Sequence, residues 1–482
     1  MIDARLFLSA LDLERAGSGS SLVCRDSFLD IFPSVYLEMA HRPVSAGMEI
    51  VVGEVGIIER WLGRERKGFT FGEEESFEGI RILIRASSNE IVIERTIAGT
   101  CPIYVSASAN GLAASWKFES VARAFGKLEI DVSVCRRFMD RGVQQTREQI
   151  LVGTFMLWPG ETCRFTDGRL SFQEASPRPI PAFTPLRDNA PVSDVFFELI
   201  MAEIERRASI SGRMLFEFSG GLDSTTVALA GSQVLGSAVT YGLIQEGVVG
   251  QQQVRRRNEV IELGRFVDHM HPANDVRPFE GLDHDEAAYV VLDDNHRMPC
   301  VRAADSHPAG PFEAIVSGIG GDELMGEHTY VRSADELPGA ICTSSLTAAT
   351  ARADMFLRRG LWPINPLCSL AVVDFCRALP PHFRSNRFLI RVNLARRGLS
   401  DGFLFPRLDE HYGYTMRAEL GFVDFDEMFR DTIVERLGIH PINDLLQEAR
   451  SARTDGFPYR LIGRLWDLAK LERVLRTYID DA

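Results

Sequence analysis

The sequence predicts an α/β protein in two parts, a mixed sheet-and-helix part followed by a part built on a parallel sheet, and three observations carry that expectation. Residues 79–108, GIRILIRASSNEIVIERTIAGTCPIYVSAS, alternate apolar and polar positions on both sides of a Ser-Asn turn, the pattern of half-buried antiparallel strands. The short apolar run Arg213–Phe218 leads through a glycine turn into the helical run Thr225–Val234, and strand, glycine turn, helix is how a parallel α/β unit opens. Between the two parts lies Pro177–Pro191 with five prolines. Proline has no N–H for a ladder and disfavours helix in the residue before it, so this segment predicts a linker.

In chain order, the turn Ala109-Asn110-Gly111 is followed by residues 112–125, LAASWKFESVARAF, whose apolar spacing suits a helix. Beyond the prolines, residues 193–209 (SDVFFELIMAEIERRAS) have helical periodicity, with Ser193 as the expected N-cap. Further strands are expected at Ala238–Ile244 and Ala314–Ser317. The chain therefore divides into a first domain over 1–176, a linker over 177–191 and a second domain over 192–482. Its 482 residues suffice for two or three cores.

Hydrophobic residues are 45% and charged residues 25% of the chain, ordinary values that exclude wholesale disorder and a fibrous architecture. A net charge of −14 disfavours a partner held mainly by phosphate charge, so no nucleic-acid partner is expected. There is no apolar run of about 18 residues, and the first twenty residues mix acidic with apolar ones, unlike a signal peptide. A cytoplasmic protein without a membrane partner is the expectation. The eight cysteines contain no CxxC pair, which suits reduced thiols. Of 53 basic residues only four are lysine (Lys67, Lys117, Lys127, Lys470), which leaves 49 arginines.

The chemistry concentrates in Ser219-Gly220-Gly221-Leu222-Asp223-Ser224, between the first expected parallel strand and its helix. Adjacent glycines let a phosphate approach consecutive backbone N–H groups, and the positive end of the following helix faces the same place. The Gly-Lys-Ser/Thr ending of a Walker A loop is missing. The loop resembles instead the SGGxDS pyrophosphate loop of ATP pyrophosphatases, which cut ATP between the α and β phosphates and activate a substrate as its adenylate. About a hundred residues on, Ser317-Gly318-Ile319-Gly320-Gly321-Asp322-Glu323 is similar to the SGxG(S/G)DE segment of the asparagine-synthetase family. A Mg·ATP site requires protein carboxylates beside phosphate oxygens, and Asp223 with Asp322 supplies a pair.

Other segments are similar to the same family. Residues 361–381 resemble its "PFLD…LVEFA…LPP" helix, 386–391 the helix after it, and 458–479 its closing Leu/Trp-rich helix. Residues 100–105 and 116–118 resemble the second half of its glutaminase domain. The resemblance implies an N-terminal Ntn-hydrolase-like α/β/β/α sandwich and a C-terminal parallel-sheet ATP-pyrophosphatase (adenine nucleotide α-hydrolase-like) domain. It implies ATP contacts at Phe218, Ser219, Gly220, Gly221, Leu222, Asp223, Ser224, Tyr241, Ser317 and Gly318. Mg²⁺ falls on Asp223 and Asp322, and catalytic roles fall on Asp322, Glu323 and Arg407.

The sequence departs from that family at three places. Glutamine-dependent members use an N-terminal cysteine after the initiator methionine, whereas Ile2 stands here, so glutamine hydrolysis is not expected. Ile319 occupies the position of a glutamate in asparagine synthetase and of a tyrosine in β-lactam synthetase, and it cannot accept a proton. Pro406-Arg407 occupies the place of a "PK" lysine that stabilises charge as the adenylate collapses; an arginine supplies fixed charge but is a poor proton donor. Among smaller signals, His269 and His271 have H-x-H spacing without a matching third ligand. Arg255–Arg257 read as a solvated helix face. Tyr412 and Tyr414 could line a substrate pocket or simply pack.

The resulting expectation is an ATP-dependent carbon–nitrogen ligase that forms an amide through an acyl-adenylate, releasing AMP and pyrophosphate. Without glutaminase chemistry, the favoured case is intramolecular cyclisation of a peptide or natural-product precursor, as in lasso-peptide cyclases. The resemblance then implies a leader-peptide protease and a recognition protein as partners. The alternatives are an ammonia- or small-amine-using synthetase, a β-lactam synthetase-like enzyme, and a non-catalytic ATP-binding homologue.

Overall fold

Among the described residues, thirteen strands of the first part form two antiparallel sheets. The strands are β1 (Ile2–Phe7), β2 (Glu14–Arg15), β3 (Ser21–Cys24), β4 (Ser27–Ile31), β5 (Leu37–Val44), β6 (Gly47–Glu54), β7 (Gly79–Arg85), β8 (Glu90–Arg95), β9 (Tyr104–Ser108), β10 (Gly111–Ser115), β11 (Thr154–Met156), β12 (Thr162–Thr166) and β13 (Arg169–Gln173). The sheet orders are β11-β9-β10-β1-β4-β3-β2 and β13-β12-β8-β7-β6-β5. The computed structural model describes residues 1–7, 14–15, 21–24, 27–44, 47–55, 78–85, 88–109, 111–126, 128–142, 146–174, 186–187, 189–282, 290–292, 295–325, 341–410 and 413–480.

The alternation seen in the sequence has a direct physical counterpart in β7. Ile80, Ile82 and Ile84 enter the core. Arg81, pointing the other way, reaches Glu49 at 2.6 Å and Glu94, directly opposite on β8, at 3.1 Å. Side chains of both sheets meet in one apolar cluster, which includes Ile2, Leu29 and Leu112 from one and Ile50, Ile82 and Ile93 from the other.

Two expectations for local structure are corrected. The helix expected over 112–125 is a strand followed by a short helix: β10 pairs with both β1 and β9, and α1 covers only Phe118–Arg123. The run Leu112-Ala113-Ala114 is buried on both faces, so it has no polar alternation to distinguish it from a helix. The N-cap is also displaced. Helix α2 (Val192–Ala208) is capped two residues earlier, at Pro191, and the buried Ser193 hydroxyl accepts a bond from Arg396 at 3.1 Å. Most of the proline-rich linker over 177–191 lies outside the described residues.

The later part carries a parallel sheet of β14 (Met214–Glu217), β15 (Ala238–Ile244), β16 (Phe266–Pro272), β17 (Ala314–Val316) and β18 (Trp362–Ile364), in the order β16-β15-β14-β17-β18. The chain therefore runs outward from β14 to β16, then crosses back to lay β17 and β18 on the other side. That reversal opens a crevice at the carboxyl ends of β14 and β17, where ligands of open α/β sheets bind. Helix α3 (Leu222–Leu235) follows β14, α4 (Gly247–Ile261) follows β15, and α5 (Thr343–Leu357), α6 (Phe388–Arg396) and α7 (Tyr459–Asp480) complete the surroundings. Among the described residues, no helix is long and apolar enough to cross a membrane.

The two parts share their core. Phe196, Phe216 and Trp362 belong to the same cluster as the isoleucines of β6 and β7. Polar contacts cross as well: Trp362 Nε1 donates to Glu54 at 3.1 Å and the Tyr36 hydroxyl to the Ser211 carbonyl at 2.9 Å.

Candidate functional site

At the end of β14 the chain turns through the glycine loop into α3. Gly220 has φ of +89°, a conformation that strains residues with a side chain. The loop closes on itself: the Ser219 and Ser224 hydroxyls are 3.0 Å apart, and the Gly221 N–H donates to Ser219 Oγ at 3.1 Å. The first turn of α3 carries Asp223.

The second glycine segment leaves β17, the neighbour of β14, and meets the first. A Cβ on Gly318 would stand 2.7 Å from the Ser224 nitrogen, and one on Gly321 would stand 2.3 Å from Asp223 Cγ. Glycine is therefore required at both positions for the loops to touch. This contact brings Asp223 and Asp322 together, although a hundred residues separate them in sequence.

Beneath the loops, Arg257 is fully buried, stacks on Phe218 at 4.4 Å and pairs with Asp268. Arg256 is also buried; it pairs with Glu410 at 2.8 Å and lies 4.5 Å from the Phe403 ring. The solvated face expected for Arg255–Arg257 is thus corrected, since only Arg255 is exposed. Gln252, Gln253, Arg256, Arg257 and Val260 form one buried stripe of α4. Its spacing is helical but, Val260 apart, its residues are polar, so apolar periodicity could not reveal it.

The crevice is a cleft of about 930 Å³, within the range of small-molecule sites. Of the residues selected from the sequence, Phe218, Ser219, Gly221, Leu222, Asp223, Ser224, Tyr241, Gly318 and Asp322 line it, as do Ile319 and Tyr414. Gly220 faces Arg257 and the Gln253 carbonyl instead. Ser317 is buried behind the wall, donating to Asn365 Oδ1 at 2.6 Å and accepting from the Ile319 N–H at 3.2 Å. Glu323 and Arg407 are not among the lining residues; Arg407 is exposed, and the wall passes from Pro406 to Leu408 without it. Tyr412 lies outside the described residues. His269 and His271 sit on β16 with ring centroids 6.2 Å apart and are not among the lining residues.

Sequence reasoning missed much of the wall, including Glu217, Arg352, Arg387 and Arg391. Glu217 accepts from the Tyr241 hydroxyl at 2.7 Å and pairs with Arg352. Arg387 Nη1 is 3.6 Å from Asp223 Oδ2, and its Nη2 contacts Asp322 Oδ1. Arg391 lies in α6, whereas Arg387 precedes that helix with φ of 55°, so the four-residue spacing does not by itself bring the two together. In a chain with 49 arginines that spacing stands out from nothing.

The electrostatics centre on Asp223, whose side chain is 15% exposed. Burial pushes its carboxyl up to about 6; Arg387 pulls it back and Glu323 adds to the rise. Its Oδ1 is buried and has no hydrogen-bond partner, an uncompensated cost unless a cation or donor meets it. Among the described residues, no group of three or more His, Cys, Asp or Glu side chains is placed to hold a metal. Two carboxylates are what the site offers, a donor set that suits a hard divalent cation completing its shell with phosphate oxygens and water.

No family model matches the chain, and no curated protein does either.

Proposed function

We propose that the protein is an ATP-dependent ligase that activates a carboxylate as its adenylate and joins it to an amine as an amide, releasing AMP and pyrophosphate. The observation that carries this proposal is the contact of the two glycine segments at the switch point of the sheet, which sets Asp223 and Asp322 beside the N-terminus of α3. That arrangement offers the three things a nucleotide triphosphate needs: backbone and hydroxyl donors at a positive helix end, carboxylates for a metal, and cationic side chains around the cleft.

In this reading the loop from Ser219 to Ser224 binds the pyrophosphate portion of ATP, and the wall near Tyr241 takes the rest of the nucleotide. Asp223 and Asp322 would hold Mg²⁺, which when bound neutralises phosphate charge. Arg387, which lines the cleft in contact with Asp223 and Asp322, and Arg391, four residues on, are the arginines assigned to the leaving group. The C-terminal part acts as an ATP-pyrophosphatase domain. The N-terminal part is assigned as a glutaminase-like sandwich that serves as scaffold.

The substrate we favour carries both carboxylate and amine, a peptide or natural-product precursor closed into a ring as in lasso-peptide cyclases. Enclosing both ends of one molecule raises the effective concentration of the amine. The test is ATP–pyrophosphate exchange and AMP formation with candidate precursors, using Asp223→Ala as the control. Precursor-dependent exchange lost in the variant supports the proposal. Turnover with free ammonia or a small amine alone would favour a small-molecule synthetase, and ATP binding without exchange would make the protein a non-catalytic binder.

A further inference from the structure

Asn386 and Arg387 are consecutive non-glycine residues with φ of 53° and 55°, a left-handed conformation that asparagine tolerates singly but that arginine, and two residues in a row, adopt only where the surroundings support it. The surroundings here are specific. Arg391 donates from Nη1 to the Asn386 carbonyl at 2.6 Å and from Nε to the Leu404 carbonyl at 3.2 Å, with its guanidinium 4.5 Å from the Phe405 ring. One arginine thus pins the strained peptide from which the other projects. The projected guanidinium of Arg387 reaches both Asp223 and Asp322, yet leaves Asp223 Oδ1 buried and unpartnered.

We propose that Arg387 is an internal competitor of the divalent cation and, once displaced by it, a ligand of the pyrophosphate group. The guanidinium and a metal ion address the same two carboxylates, so a metal that binds both, Asp223 through its unpartnered Oδ1, meets the charge of Arg387 at close range and favours its release. A guanidinium released beside the glycine loop has its planar donors available for phosphate oxygens. Conversely, an anion that attracts Arg387 without a metal strips the charge from a buried carboxylate. Metal and pyrophosphate therefore bind weakly one at a time, and each strengthens the other by the same factor. This inference rests on the nucleotide reading of the loop given above.

Calorimetric titration of the full chain with magnesium alone, with pyrophosphate alone and with preformed magnesium pyrophosphate tests it. Arg387→Ala is expected to bind magnesium alone roughly tenfold more tightly than the wild type and magnesium pyrophosphate at least roughly tenfold more weakly, within the usual range of site coupling. Arg387→Lys, a point charge without the planar fork, is expected to fall between them, and keeps the test open should the alanine variant fold poorly. Unchanged magnesium affinity in folded Arg387→Ala, or unchanged affinity for magnesium pyrophosphate, overturns the role of Arg387 alone. A wild type that binds no magnesium pyrophosphate overturns the nucleotide reading, and this inference with it.

Discussion

Arg358 and Glu119 form a two-pronged ion pair, 2.7 and 2.9 Å, between residues 239 apart in the chain. Both side chains are nearly buried, at 11% and 14% exposure, and Arg358 also bonds Asp354 through Nε at 3.0 Å. Glu119 belongs to α1 beside the first sheets, and Arg358 closes α5 beside the parallel sheet. The pair fastens one part of the chain to the other.

Removing one partner of a buried pair strands the other charge, which costs about 3–5 kcal/mol. Arg358→Met is therefore expected to lower unfolding free energy by roughly that amount in urea melts at pH 7. The loss should narrow in acid. Burial opposes ionisation of Asp354, but Arg358 and Arg297 outweigh it and hold the carboxyl below its ordinary 3.8. The stability this contributes is present above 3.8 and disappears as pH falls through the lower folded value. A variant within about 1 kcal/mol of wild type at pH 7 would show that the pair is a surface ion pair in energetic terms.

Gly318→Ala tests the contact between the two glycine segments. The added methyl meets backbone, the Ser224 nitrogen at 2.7 Å and the Asp223 carbonyl carbon at 2.9 Å, so the segments must separate rather than a side chain yield. Pyrophosphate binding is expected to fall by at least roughly tenfold, or about 1.4 kcal/mol, while far-UV circular dichroism stays native. Retained binding would mean that the contact does not organise the loop.

How much of this was legible in the sequence follows from what each feature depends on. The β14 strand, the glycine loop and α3 were legible because strand, glycine pair and helix are local signals, and the strand at Ala238–Ile244 was placed to the residue. The strand at Gly111–Ser115 was not, because burial on both faces erases the alternation that marks a strand. The convergence of Asp223 with Asp322 was expected only through resemblance, since no local pattern encodes which strands become neighbours. Arg387 lay in the segment 386–391 noted for its resemblance, but its place at the site was missed. Its role depends on a left-handed backbone at Asn386 and Arg387; asparagine tolerates that conformation, but arginine gives no sign of it.

The arginines of the cleft make a contrast that activity can read. Arg391 lines the wall and pins the Asn386 carbonyl, whereas Arg407 is exposed beyond it. In pyrophosphate-release assays Arg391→Ala is expected to cost at least roughly tenfold in kcat/KM, and Arg407→Ala less than roughly threefold. The reverse ranking would return to Arg407 the charge-stabilising role that its position after Pro406 suggests. It would also mean that the 406–410 segment moves during turnover.

Asp467 offers a prediction independent of the cleft. It lies within α7, and burial alone pushes its carboxyl up from 3.8 to about 7. A carboxyl whose folded value exceeds its unfolded value favours the folded state fully below pH 3.8 and progressively less as pH rises to about 7. Ionising this group in the folded protein therefore costs at most about 4 kcal/mol at pH 8, at about 1.4 kcal/mol per unit. Asp467→Asn keeps the shape and removes the charge, so its melting temperature should exceed the wild type's at pH 8, and the two should converge as pH falls toward 4. A difference that stays constant from pH 4 to 8 would show that the carboxyl does not titrate in this range. A variant less stable than wild type at pH 8 would show that the ionised form is paired.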